Sequence, residues 1–331
     1  MFKRITIIGD GAMGSVCAML LCSKSLDVTM WGHDSKYLMS IAKCRENTVF
    51  LPGHKLPDSL IFESDDSKAM DGADLIVSAV PCQFVRSVFE RLKPCVPPGV
   101  PIVSVTKGFE KNTLLRPTQI LNDVLADDRG YAALSGPTIA DELADGKPAT
   151  ACAASNDEKL ANEVQDIFHT SLFRVYSNYD LLGVELSGAI KNVIAIAAGI
   201  IDGLGAGDNA KAALLTRGLA EIKRLGVAMG AKESTFSGLS CLGDLVTTCI
   251  SPMGRNRSFG ERIGKGQTAE EALAATESVV EGVATCESVL KLADEYNVEM
   301  PLTQAVVAVI TGTKSLQDAM HDLMCRKLKT E

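Results

Sequence analysis

A chain of 331 residues is long enough for two domains rather than one. Hydrophobic residues make up 46% and charged residues 22%, which permits sizeable cores, and a net charge of −8 argues against nucleic acid or an anionic membrane as the main partner. Ten cysteines contain no CxxC pair, and His33, His54, His169 and His321 lie far apart, so neither a metal site nor a disulfide framework is expected.

The opening stretch, MFKRITIIGDG, has two basic residues before an apolar run too short for a signal-peptide core, and reads as a strand over Arg4–Gly9. A helical pattern follows over Ala12–Lys24, then a strand over Asp27–Trp31. Further strands are expected at Ala73–Val80, Val100–Thr106, Tyr131–Leu134, Thr150–Ala154 and Leu172–Ser177, with amphipathic helices at Cys82–Leu92 and Glu158–His169. Continuous apolar strands with crossover helices imply a parallel sheet covered on both faces. Beyond Asn178 long helical patterns take over: Tyr179–Ile201, Asn209–Met229, Ala269–Ala275, Gly282–Tyr296 and Thr303–Thr311. The expected organisation is an α/β domain over 1–178 followed by an all-α domain over 179–331. The longest apolar stretch, Ala189–Ile201, is broken by Lys191 and Asn192 and falls short of a membrane span, so a cytoplasmic protein is expected.

ITIIGDGAMG sets Gly9, Gly11 and Gly14 at G-x-G-x-x-G spacing. Spacing alone is weak, but here an apolar strand enters the loop and an apolar-periodic helix leaves it. The first glycine allows the turn, the second admits a pyrophosphate to the backbone, and the third lets helix and strand pack closely. A Rossmann-type doubly wound sheet binding NAD(P)H is the expectation. An NAD site usually has an acid at the tip of the second strand. Here the tip reads Trp31-Gly32-His33 with Asp34 a little late, so NAD and NADP both stay open.

In open α/β sheets ligands gather beyond the carboxyl ends of strands. Lys107, in VSVTKGFE, lies past such an end, and so does SGPT (Ser135–Thr138) with its hydroxyls and N–H groups. Each also reads as an ordinary solvated loop. In the helical half, CLGDLVTTCISPMGRNRSFG places Asp244 after a glycine and Arg255, Asn256 and Arg257 between Gly254 and Gly260. Guanidinium forks suit a phosphate, with a solvated basic turn as the plain alternative. Cys241 and Cys249 flank Asp244 with nothing to mark a nucleophile. The stretch SGAIKNVIAIAAG (Ser187–Gly199) buries one cation, Lys191, in small and aliphatic surroundings that disfavour its charged form.

Together these segments resemble the bacterial-type NAD(P)-dependent glycerol-3-phosphate dehydrogenases over essentially the whole chain. The most specific part runs from Gly188 to Ala231, supported by TFSGLSCLGDLVTTC (Thr235–Cys249), RNR (Arg255–Arg257) and VVEGV (Val279–Val283). The resemblance implies that Lys191 is the catalytic acid/base. It implies substrate contacts from Lys107, Gly136, Thr138, Lys191, Asp244, Gly254, Arg255 and Asn256. The cofactor would be held by Gly9, Gly11, Ala12, Met13, Gly14, His33, Lys107, Ala140, Arg255, Val279 and Glu281. Met13, Gly254 and Gly32-His33 depart from the commoner pattern without removing a reacting group. The implied partners are dihydroxyacetone phosphate and sn-glycerol 3-phosphate; the acidic charge leads to the expectation of no nucleic acid or membrane partner, and the apolar small-residue helices to that of a homodimer. Ser187, Gly188, Ala195 and Gly199 share the face of Lys191, a small-residue face expected to meet the nucleotide domain. A β-hydroxyacid dehydrogenase with a helix-borne lysine and a non-catalytic dinucleotide sensor are the alternatives.

Overall fold

The computed structural model describes residues 2–275, 280–328 and 330. The chain divides into two compact units, one made of Met1–Lys107 and Leu115–Glu185, the other of Gly108–Leu114 and Leu186–Glu331.

The first unit is built on a sheet. Its strands are β1 (Arg4–Ile8), β2 (Asp27–Trp31), β5 (Ile61–Phe62), β6 (Leu75–Ser78), β7 (Ile102–Ser104), β8 (Tyr131–Ser135), β9 (Ala149–Ser155) and β10 (Phe173–Asn178), in the order β10-β9-β8-β7-β6-β1-β2-β5. A separate hairpin pairs β3 (Glu46–Asn47) with β4 (Leu51–Lys55). Helices α1 (Ala12–Ser23), α2 (Ser35–Cys44), α3 (Asp66–Met70), α4 (Val85–Leu92), α5 (Pro117–Leu125), α6 (Ala140–Ala144) and α7 (Glu158–Phe168) complete the unit. β6 and β7 are buried along their whole length, as an apolar strand covered on both faces requires. One core holds Ile5, Ile7, Val16, Leu21, Val77 and Val103, and another holds Ile8, Trp31, Ile76, Phe89, Ile102 and Leu121. Odd and even residues of β1 thus feed opposite faces.

Two expectations change here. The sheet is not wholly parallel, because β9 runs antiparallel to β8. Their link holds only the short helix α6, whereas a parallel return needs a longer crossover. Asp34, weighed as a ribose acceptor, caps α2 instead, accepting from the N–H groups of Lys36 and Tyr37. The strand order reverses around β1, which lies between β6 and β2, and the crevice at such a reversal is where dinucleotides bind.

The second unit is helical, with no strand among its described residues. It contains α8 (Leu181–Leu204, whose first turn belongs to the other unit), α9 (Asp208–Ala228), α10 (Asp244–Ile250), α11 (Arg255–Gly264), α12 (Ala269–Ala274), α13 (Glu281–Glu295), α14 (Pro301–Ile310) and α15 (Leu316–Met324). The compact units therefore divide inside α8, after Asn178, where the residue pattern changes. Among the described residues α8 alone has the length and apolarity of a membrane span, yet 94% of its most apolar window is buried inside the protein. It is a core helix. RNRSFGERIG, for which a solvated basic turn is the plain alternative, is helix α11.

α8 and α11 touch backbone to backbone. A Cβ on Gly199 would lie 1.9 Å from the Arg257 carbonyl oxygen, and one on Gly260 would lie 2.0 Å from that of Ile196. Gly203 and Gly264 repeat the contact one turn on, so the helices run parallel with residue 199 beside 257 and 203 beside 261. Gly199 therefore serves this helix pair, which corrects its expected role on a face toward the nucleotide domain.

On an exposed helix Gly→Ala stabilises by about 1 kcal/mol. At Gly260 the added methyl meets main chain that cannot move aside, and overpacking of this kind costs about 1–3 kcal/mol. Gly260→Ala should therefore lower the midpoint of thermal unfolding; a raised midpoint would contradict the close helix pair.

Candidate active site

In the first unit the glycine loop has the form a pyrophosphate needs. Gly9 holds φ +113°, and a Cβ there would lie 2.8 Å from the Ala79 carbonyl oxygen. A Cβ on Gly14 would lie 2.0 Å from the Gly9 carbonyl oxygen, while one on Gly11 would meet nothing within 4 Å. Close packing thus surrounds an open position where a ligand can approach main chain. Gly11 is the N-cap of α1, and no side chain caps that end. Ala12 and Met13 begin the helix and pack on the core beneath, as does Ala140 at the start of α6.

Some of the buried polar atoms without a hydrogen-bond partner lie on the same edge of the sheet. They include Asp10 Oδ2 just after β1, Ser78 Oγ at the end of β6 and Ser135 Oγ at the end of β8. Unsatisfied buried groups are rare because each costs about 1–3 kcal/mol. Three at the carboxyl ends of parallel strands fit a site completed by a polar ligand, so the residues present fit the dinucleotide.

Lys107, Gly136 and Thr138 come together beyond β7 and β8. Lys107 Nζ donates to the Gly136 carbonyl oxygen at 3.2 Å, and Thr138 Oγ1 donates to the same oxygen at 3.2 Å. Lys107 is half-buried. His33 stands exposed at the tip of β2, where Arg91 Nη1 lies 3.3 Å from its Nδ1. Arg91 stacks 5.0 Å over the Trp31 ring and is paired with Asp66 through two hydrogen bonds of 2.8 and 2.7 Å. Sequence reasoning missed Arg91 and Asp66, since long-range partners leave no local signal.

In the second unit Lys191 is 5% exposed and Asp244 2%. Lys191 Nζ donates to Asp244 Oδ1 at 2.6 Å and to Thr248 Oγ1 at 2.5 Å. Thr248 Oγ1 in turn lies 3.2 Å from Asp244 Oδ1. Within the apolar surroundings of α8, a carboxylate offsets the cost of burying the ammonium. Asp244 and Thr248 stand four apart on α10 and so share a face, a spacing visible in DLVTT but not used. A π-helical turn over Leu239–Gly243 leads into α10, a feature frequent beside functional sites. Burial pushes the Cys241 and Cys249 thiols up to about 12, so neither carries a ready thiolate.

Arg255 is exposed at the first position of α11, after Gly254, which gives that helix no side-chain cap. Asn256 Oδ1 accepts from the Gly282 N–H at 3.0 Å, tying the start of α11 to the start of α13. A Cβ on Gly282 would lie 2.6 Å from Asn256 Oδ1 and 3.0 Å from the Asn192 carbonyl oxygen. The N-terminus of α11 is thus level with the turn of α8 that follows Lys191. Glu281 is the first residue of α13, where the helix dipole favours a carboxylate. Val279 lies outside the described residues.

Two family models match the chain: the N-terminal model of NAD-dependent glycerol-3-phosphate dehydrogenase over residues 4–161 and the C-terminal model over 180–321. A glycerol-3-phosphate dehydrogenase [NAD(P)+] of Geobacter sp. (strain M21) is 46% identical over 100% of this chain and 99% of its own length. One from Chlorobium phaeobacteroides (strain BS1) is 44% identical over 99% of each. The crystal structure of the glycerol-3-phosphate dehydrogenase of Coxiella burnetii superposes with a TM-score of 0.93 at 35% identity, covering 98% of this chain and 99% of that one. With a dinucleotide loop in one unit and a buried, carboxylate-held lysine in the other, the chain belongs to the NAD-dependent glycerol-3-phosphate dehydrogenase family.

Proposed function

We propose that the chain reversibly reduces dihydroxyacetone phosphate to sn-glycerol 3-phosphate, with Lys191 as the proton donor and acceptor. The observation that carries this reading is the Lys191 ammonium, held by Asp244 and Thr248 inside an apolar helix core. Residues 1–178 hold the nucleotide and 179–331 hold the phosphate ester. The nicotinamide, when bound, supplies or accepts the hydride at substrate C2.

The rest falls to side chains. Two hydrogen bonds, to Asp244 and Thr248, hold the Lys191 ammonium in place. The ammonium gives a proton to the C2 oxygen as hydride reaches C2 during reduction. In the reverse direction the amine takes the proton back from the hydroxyl. Asp244 then positions the lysine, a role its 2.6 Å hydrogen bond from Nζ supports. Arg255 grips the phosphate, and Asn256, whose Oδ1 is engaged by Gly282, offers its amide N–H groups to the same oxygens. Gly254 supplies backbone beside them. Lys107, Gly136 and Thr138 present a cation and a hydroxyl to the substrate or the nicotinamide end. Gly9, Gly11, Ala12, Met13 and Gly14 cradle the pyrophosphate, His33 meets the adenosine, and Ala140, Val279 and Glu281 complete the cofactor's contacts. The reading includes a cytoplasmic homodimer that supplies sn-glycerol 3-phosphate for glycerophospholipid synthesis.

Oxidation of NADH or NADPH with dihydroxyacetone phosphate, set against carboxylate-bearing keto acids, tests the reading. Turnover with the phosphate ester is expected; turnover only with keto acids would favour a β-hydroxyacid dehydrogenase, and none with either would leave a sensor. Lys191→Met should lower kcat by at least about 10²–10⁴-fold, the usual worth of a positioned acid/base, while NADH titration stays unchanged. Arg255→Ala should raise the KM for dihydroxyacetone phosphate about 10- to 100-fold, the worth of a charged hydrogen bond; an unchanged KM would remove the anion clamp.

A further inference from the structure

The tip of β2 lacks the acidic side chain that usually receives the adenosine ribose, and Asp34 is occupied in capping α2. A carboxylate is nevertheless present there, delivered from another loop. A Cβ placed on Gly32 would lie 2.3 Å from Asp10 Oδ2 and 2.8 Å from Asp10 Cγ. The Asp10 side chain therefore occupies the space that a side chain at the strand tip would fill. Gly32 is what allows it.

We propose that Asp10, the residue between the first two glycines of the loop, selects NAD over NADP by supplying the carboxylate that the tip of β2 lacks. It accepts a hydrogen bond from a hydroxyl of the adenosine ribose and repels a 2′-phosphate at that position. The inference rests on the dinucleotide reading of this unit.

Three observations support it. Asp10 Oδ2 is buried with no hydrogen-bond partner, while the residue as a whole is only partly buried, so the carboxylate is short of donors beside a loop open to a ligand. Its backbone is fixed from below, because Asn47 Nδ2 donates to the Asp10 carbonyl oxygen at 2.8 Å and to Ser15 Oγ at 2.8 Å. Asn47 Oδ1 in turn accepts from the Tyr37 hydroxyl at 2.5 Å, so the loop is braced from α2.

The cations nearby are already committed. Arg91 gives two hydrogen bonds to Asp66, which neutralises it, and its Nη1 faces His33 Nδ1. Asp34 adds a second carboxylate at the strand tip. Burial raises the Asp10 pKa from its ordinary value of 3.8; its own backbone N–H opposes that, Asp34 adds to it and His33 opposes it. A ribose hydroxyl that donates to the carboxylate favours the ionised form that repels phosphate.

Trp31, the single tryptophan of the chain, lies beside this site and gives a binding signal independent of turnover. Fluorescence titration of the whole protein should give a Kd for NADH on the order of tenfold or more below that for NADPH. Adenosine 5′-monophosphate should likewise bind more tightly than adenosine 2′,5′-bisphosphate. Asp10→Asn, which keeps the shape and removes the charge, and Asp10→Ser should both narrow the NADH/NADPH ratio by tightening NADPH. Equal or inverted affinities in the unaltered protein would overturn the proposal, inversion assigning a 2′-phosphate site to His33 and Arg91. A ratio unmoved in both variants would also overturn it. If the unaltered protein bound none of these nucleotides, the dinucleotide reading itself would fail. The fragment pair needs no variant, so it decides the question even if both substitutions unfold.

Discussion

The backbone contact between α8 and α11 is the constraint on which the catalytic unit depends. Gly199, Gly203, Gly260 and Gly264 remove every side chain from the seam, and the two helices settle in parallel register. One turn back from the Ile196–Gly260 contact that register sets Asn256 beside Asn192, and the neighbours of Gly282 agree with this. The residues proposed to grip a phosphate are therefore held at a fixed height relative to Lys191. A site that must present a proton to one end of a small ester and an anion clamp to the other needs that spacing fixed. Side-chain packing would leave room to slip; main chain against main chain does not.

The ion pair inside this frame is poorly explained by stability alone. Burying an ammonium and a carboxylate costs several kcal/mol per ion before their attraction returns it, and a hydrophobic pair of the same volume often does as well. Lys191 and Asp244 are almost completely buried, with Thr248 bridging them. Such an arrangement is better understood as orientation. A carboxylate and a hydroxyl four residues apart on one rigid helix aim the lysine from one side, leaving its direction fixed rather than its position merely tolerated.

Much of this was legible in the residues, and the exceptions have physical causes. The inner strands announce themselves because both faces are buried, and α8 does so because a long apolar periodic run has few other fates. Helix α11 hid because Gly-Arg-Asn-Arg-Ser is turn-like in isolation; it is helical where its glycines can lie on α8, a fact held by the partner rather than by the segment. The antiparallel β9 hid because strand direction depends on connection length, and α6 is a single short helix. Asp34 seemed a ligand because an acid at a strand end and an acid at a helix start are the same letter. Arg91 escaped altogether, its partners Asp66, Trp31 and His33 being spread along the first unit. Thr248 is the different case: its spacing from Asp244 was present in the sequence, and only the lysine's partnership gave it meaning.

The two units handle polar groups in opposite ways, and that contrast bears on what each waits for. In the helical unit the buried charges are paired within the chain: Lys191 with Asp244, and Glu221 with the backbone N–H groups of Leu302 and Thr303. In the α/β unit Asp10 Oδ2, Ser78 Oγ and Ser135 Oγ stay unmatched at strand ends, beside a loop whose central glycine faces open space. A fold that leaves such groups unpaired gives up stability at one edge, and places where local rules are broken tend to be functional. Tyr131 Oη, at the start of β8, and Arg257 Nε in the helical unit are unmatched too, but these three oxygens lie along the carboxyl ends of β1, β6 and β8, the edge that strand order alone marks for a ligand. The helical unit thus pairs its buried lysine within the chain, whereas the dinucleotide-binding unit keeps polar groups at one edge for what it binds.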